Sequence, residues 1–148
     1  MRKCLIVYYS YHHGNTEKIA SAMAEAAHAE LCTIDGIKSK NLSDYEIIGF
    51  GAGIAYSKHY DQLLKGAKEL NLQGKFVFVF STSGTGGTKY HTELIKLLKN
   101  AGAEMIGQFA CKGFDTFGPF GLIGGIAKGH PDGTDIEAAK EFVLKMVK

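Results

Sequence analysis

Apolar and polar positions follow two rhythms along this chain. Short, nearly continuous apolar runs occur at about 3–9, 30–35, 45–50, 75–81 and 104–111. Runs of that length, rich in Val, Ile, Phe and Tyr, predict strands. The run at 75–81 is unbroken, which suits a central strand covered on both faces. Between the runs, apolar residues recur at helical spacing. Ile19, Ala20, Met23, Ala24 and Ala27 share one face of a helix predicted over 15–28. Leu63, Leu64, Ala67 and Leu70 do the same over 60–71, and Leu94, Ile95, Leu97, Leu98 and Ala101 over 88–101. The last helix opens with Thr134, Asp135, Ile136 and Glu137, a capping-box pattern, and turns Ala139, Phe142, Val143 and Met146 inward. This alternation predicts an α/β fold: a doubly wound sheet of five parallel strands, order 2-1-3-4-5, with helices on both faces.

Composition narrows the picture. The 148 residues suit one domain spanning 1–148. Hydrophobic residues make up 45% and charged residues 22%, the balance of an ordinary globular protein. The apolar runs are too short to span a bilayer, so membrane insertion is not expected. The start, "MRKCLIVYYS", lacks the longer apolar core of a signal peptide and reads as the first strand. Cys4, Cys32 and Cys111 are odd in number and far apart, without a CxxC, so neither a disulfide framework nor a zinc site is expected. A cytoplasmic, reducing setting follows. The net charge of +2 comes from scattered residues, so nucleic acid is not an expected partner. His59, His91 and His130 show no ligand spacing, and no metal is assigned. The 19 glycines concentrate at 49–53, 84–87 and 113–133, predicting loops where backbone approaches a ligand. Residues 112–133 break the strand–helix rhythm, with Phe114, Phe117 and Phe120 set among glycines and Pro119; a loop this long is usually functional.

In doubly wound sheets, ligands sit beyond the carboxyl ends of the strands, at the switch point. Polar, glycine-rich segments follow the first, third and fourth strands here, at 10–16, 51–60 and 81–88. The first is the corner "YYSYHHGNTEKIA", Tyr8 to Ala20. A helix N-terminus there offers unpaired N–H groups and a partial positive charge. Ser10, Asn15 and Thr16 add donors, and Gly14 allows a tight approach. Neither GxxxxGK[ST] nor GxGxxG occurs at this corner. It suits a terminal monophosphate held by dipoles and hydroxyls, or else a plain N-capped helix.

"VYYSYHHGNTEKIA" resembles the phosphate loop of the flavodoxin family, whose pattern runs [ST]-x-[ST]-G-N-T after the first strand. "LSDYEIIGFGAGIAYSKHYDQL" resembles that family's third strand and the loop beside the flavin; "GKFVFVFSTSGTGG" resembles its fourth strand and second flavin loop. The resemblance implies a flavodoxin-like fold binding FMN non-covalently. Ser10, Gly14, Asn15 and Thr16 would meet the phosphate. His12 and His13 depart from the pattern, in a loop one residue longer than the six-residue form, yet a histidine can also donate to phosphate. The ring would lie between Gly53, Ile54, Ala55 and Tyr56 on one side and Ser81, Thr82, Ser83, Gly84, Thr85 and Gly86 on the other. Tyr56 is the first choice for stacking, followed by Tyr60 and Tyr90.

The implied function is that of an electron-transfer flavoprotein shuttling electrons between redox protein partners. The same site also fits an FMN-dependent oxidoreductase, such as an NAD(P)H:quinone reductase or a flavodoxin-like oxidase. "GAGIAYSKHYDQ" also resembles flavodoxin-like protoporphyrinogen oxidases, although no nicotinamide-reading arginine is evident. A third reading is an FMN-free interaction module, against which Gly14, Asn15, Thr16 and the 84–87 glycines speak. Typical flavodoxins are strongly acidic. At pI about 8.4, this chain is expected to meet different partners.

Overall fold

Three central strands carry the core: β1 (Cys4–Tyr9), β3 (Ile47–Ala55) and β5 (Phe76–Ser83). β2 (Glu30–Thr33) and β6 (Glu104–Lys112) flank them as edges. The order is β2-β1-β3-β5-β6 and every one of these pairings is parallel. Counting only these long strands, that is the predicted 2-1-3-4-5. An unpredicted short strand, β4 (Lys58–His59), pairs antiparallel with β3. Two residues are too few to show any periodicity. The structure, a computed structural model, describes residues 1–11, 14–114 and 125–148.

Successive strand residues point to opposite faces and so build two cores. Leu5, Val7, Ile48, Phe50, Val77 and Val79 face α2 (Asp61–Lys68) and α3 (Thr92–Asn100), meeting Leu63, Leu64, Leu94 and Leu98. Cys4, Ile6, Ile47, Phe78 and Phe80 face α1 (Asn15–Ala27) and α4 (Gly133–Met146), meeting Ile19, Met23, Ala139 and Val143. Each large side chain buried this way contributes about 1.5–3 kcal/mol relative to exposure.

The glycines at 49–53 depart from the expected ligand-facing loop. Gly49 and Gly51 lie inside β3. A Cβ on Gly49 would stand 2.3 Å from the Phe78 ring, and one on Gly51 2.2 Å from the Phe80 ring. These two positions give up side chains so that the phenylalanines of β5 can lie across them. β3 thereby continues to Ala55, beyond its predicted end at 50.

Candidate functional site

β1, β3 and β5 end together at a cleft lined by residues from all three segments that follow or finish them. Asn15, Gly53, Ile54, Thr82 and Ser83 line it, joined by Tyr11, Tyr60, Gly113 and Phe114. Its volume is about 20 Å³. It stands at the switch point between β1 and β3, from which the sheet grows in both directions.

One wall is the head of α1. Gly14 precedes the helix with φ +65°, and a Cβ there would meet nothing within 4 Å. Conformation, not space, requires glycine at this point. Among the described residues, the side chain that serves the first-turn amides is Ser10, whose Oγ accepts from Glu17 N–H at a long 3.4 Å. The acid of that turn is drawn aside, since Glu17 Oε2 accepts the Tyr8 hydroxyl at 3.2 Å.

The side chains of Asn15 and Thr16 turn inward. Asn15 Nδ2 donates to the Phe114 carbonyl at 2.8 Å. The Thr16 and Thr82 hydroxyls bond at 2.9 Å, both buried. Together they stitch the head of α1 to the end of β5 and to the segment leaving β6. A bare methylene at Gly113 makes the first of these bonds possible, because a Cβ there would stand 2.7 Å from Asn15 Nδ2.

Tyr60 occupies the opposite wall. Its ring meets Tyr9 edge-on at 5.9 Å and Tyr11 edge-on at 6.0 Å between centroids. It lies so close to Gly53 that a Cβ there would reach it at 2.7 Å. The Tyr60 amide donates back to the Gly53 carbonyl at 3.1 Å, closing the β3–β4 hairpin.

Residues 5–113 match the family profile of the flavodoxin domain. The chain belongs to the flavodoxin-domain family. It is 42% identical over 148 residues to an uncharacterised protein of Methanocaldococcus jannaschii, covering 99% of each chain. Its fold is similar to that of the WrbA-like flavodoxin protein from Agrobacterium tumefaciens, with a TM-score of 0.68 and 20% identity over 99% of this chain and 96% of that one. It is also similar to the Fusobacterium nucleatum flavodoxin solved bound to flavin mononucleotide, with a TM-score of 0.67 and 11% identity over 99% and 97% of the two chains. Identities this low carry the fold alone.

Within this flavodoxin domain, the sequence-derived residues fall into groups. Asn15, Gly53, Ile54, Thr82 and Ser83 converge on the cleft, and Ser10, Gly14 and Thr16 stand at its α1 end. Ala55 and Tyr56 line a neighbouring cleft of about 270 Å³ with Lys58, Tyr60, Asp61, Gln62 and Lys65. Tyr56 is 85% exposed at a hairpin tip, where it and Ser57 both take left-handed φ values, 54° and 64°. Gly84, Thr85 and Gly86 follow β5. Ser83 Oγ accepts the Gly86 amide at 2.9 Å, and Gly86 needs its φ of +75° for that turn. Tyr90 carries the Lys89 ammonium 4.9 Å above its ring. His12, His13, Phe117 and Phe120 lie outside the described residues. The Cys111 thiol is buried and pushed up to about 12 by that burial, with Asp135 and Asp132 adding to it. Burial and a raised pKa suit a packing thiol rather than a reactive one.

Ser81 takes a different direction. Its hydroxyl bonds His91 Nε2 at 2.7 Å on the α3 face of the sheet, and His91 Nδ1 bonds Gln108 Oε1 at 2.9 Å. His59 Nε2 bonds the Phe80 carbonyl at 3.0 Å. Burial holds His59 down at about 3, with the neighbouring His91 adding to the effect, and burial lowers His91 as well. Sequence reasoning named Ser81 for the ring but missed its partnership with these histidines and Gln108, and it missed Tyr11. Tyr11 had a signal, its place within the corner motif. The histidines had none, because the elements they join are far apart along the chain.

Proposed function

We propose that this flavodoxin-domain chain binds FMN non-covalently and carries electrons between larger redox partners. The observation that carries the reading is the head of α1: a left-handed glycine, first-turn amides served only by a long Ser10 contact among the described residues, and a cleft beside it to which Thr82 and Ser83 contribute. That donor set fits a phosphate monoester, which helix amides and hydroxyls hold without a fixed cation. Gly53, with no room for a Cβ beside Tyr60, keeps the ring end of the cleft close to bare backbone.

The first-turn amides and Ser10 would hold the phosphate, while Glu17 stays engaged with Tyr8. Thr82, Ser83 and the backbone of Gly53 and Ile54 would meet the polar edge of the ring. Tyr60 and Tyr11 supply aromatic contact, worth about 0.5–1.5 kcal/mol beyond burial. Bound flavin supplies the redox chemistry; the protein sets its orientation and its access to solvent. A net charge of +2 favours partners with acidic docking faces, which steer association. The free thiols Cys4, Cys32 and Cys111 suit the cytoplasm. Among the described residues, no helix is long and apolar enough to cross a membrane.

The absorbance spectrum tests the reading. The isolated protein should be yellow, release flavin on denaturation, and rebind FMN in equal stoichiometry. A colourless protein that refuses FMN rejects it. Steady NAD(P)H oxidation without an added reductase would replace the carrier with the oxidoreductase alternative.

A further inference from the structure

Four polar side chains from four elements meet on the α2–α3 face of the sheet, at the level of the cleft. His59 comes from β4, Ser81 from β5, His91 from the residue before α3 and Gln108 from β6. His59, Ser81 and His91 have no exposed surface. Gln108 Oε1 can only accept, so His91 donates from Nδ1 and its Nε2 accepts the Ser81 hydroxyl. The Phe80 carbonyl also only accepts, so His59 donates from Nε2. His59 Nδ1 is then a buried lone pair with no partner among the described residues. The two histidine rings lie 4.9 Å apart, tilted by 39°.

A phenylalanine at this place would carry no unpaired ring nitrogen, but it would take away the donor to the Phe80 carbonyl. A buried group left unpaired is costly, so its presence needs a reason. The bond to Phe80 supplies one. β4 pairs with β3 through Ile54 with His59 and Ala55 with Lys58, and the Tyr60 amide adds one bond to the Gly53 carbonyl. A two-residue strand is too short to hold itself in place. Its His59 side chain reaches the central strand β5 and rests on the head of α3. The next residue is Tyr60, whose ring stands against Gly53 in the cleft.

We propose that His59 is a positioning residue: its Nε2–H bond to the Phe80 carbonyl, backed by the His91 ring, locks the β3–β4 hairpin onto β5 and sets where Tyr60 stands. The tether is a property of the protein alone; its effect on a ligand rests on the flavin reading.

Three measurements decide it. Nitrogen NMR of the wild-type protein at pH 7 should find His59 as the neutral Nε2–H tautomer, and an Nδ1–H tautomer would overturn the proposal. Without added flavin, His59→Phe should speed amide exchange at Tyr60 and across 54–60 by about tenfold, leaving β1 unchanged. Equal exchange in the two proteins would overturn it. With flavin, the same variant should weaken FMN and riboflavin by one common factor, about tenfold, and alter the visible circular dichroism of the bound ring. Unchanged affinity and dichroism, or a loss for FMN alone, would also overturn it. If the wild-type protein binds no flavin, the proposed function fails, and exchange still decides the tether. If His59→Phe does not fold, the wild-type tautomer decides.

Discussion

At the head of α4, Asp132 accepts the Asp135 amide at 3.0 Å, and Asp135 returns the bond to the Asp132 amide at 2.9 Å while also taking His130 Nδ1 at 2.6 Å. At the head of α1, the residue in the same position is Gly14, with no side chain to offer, and Ser10 reaches one amide at 3.4 Å. Both helices begin with the same deficit of bonded amides. α4 meets part of it with the Asp132 carboxylate, and the two acids at that end disfavour an outside anion. α1 sits beside the cleft, and among the described residues the side-chain contact to its first-turn amides is the long one from Ser10. The two helix ends are thus built differently: α4 is closed by its own side chains, and the head of α1, among the described residues, stays open beside the cleft.

The comparison can be broken most directly with the ligand. FMN at about a hundred times its Kd should stabilise the protein by about 2.7 kcal/mol, read as a rise in Tm. Riboflavin at the same concentration should do much less. Equal stabilisation would mean that the head of α1 does not meet the phosphate. Next in size is Thr16→Val, which strands the buried Thr82 hydroxyl. Denaturant unfolding without ligand should show a loss of about 1–3 kcal/mol, and FMN binding should weaken as well. Unchanged stability would mean that the α1–β5 bond is not made in solution.

Acid should separate the two regions. The unfolded chain takes up a proton at His59 near its ordinary 6.5, whereas the folded chain resists down to about 3. More protons bind to the unfolded state across that window, so stability falls as pH drops from 6.5 toward 3. The limit is about 1.4 kcal/mol per pH unit for each such histidine. The Asp135 amide holds the Asp132 carboxyl below its ordinary 3.8, so the α4 cap fails only under more acid conditions. Urea unfolding between pH 6.5 and 4.5 should therefore report the buried histidines, and His59→Phe should flatten the slope. Smallest is Asp132→Ala, expected to cost about 1 kcal/mol of stability with no change in FMN affinity. A shift in affinity would tie the α4 cap to the ligand site.

The long elements were legible in the sequence because each one repeats its pattern several times. β5 and the Leu94–Leu98 face of α3 left no second reading, whereas the switch point followed from a strand order that was inferred from their alternation. β4 was not legible, because two residues carry no period. Gly49 and Gly51 misled, since packing under a phenylalanine and approach to a ligand both select glycine. The corner from Ser10 to Thr16 could be read as a motif because its residues are contiguous. Tyr60 was ranked behind Tyr56 because nothing local tells which of two nearby tyrosines the hairpin turns inward. His59, Ser81, His91 and Gln108 meet only once the sheet is assembled, so their partnership is a tertiary fact without a one-dimensional trace.

The cleft's resting volume of about 20 Å³ has a consequence in time. Ligand pockets usually measure about 300–1,000 Å³, so on the proposed flavin reading the Tyr60 ring, packed edge-on with Tyr11, has to move before a tricyclic ring enters. The gap must widen first, and the protein alone sets how often it does. Uptake rates will then climb with ligand concentration only to a plateau, and the height of that plateau is the opening frequency of the hairpin itself.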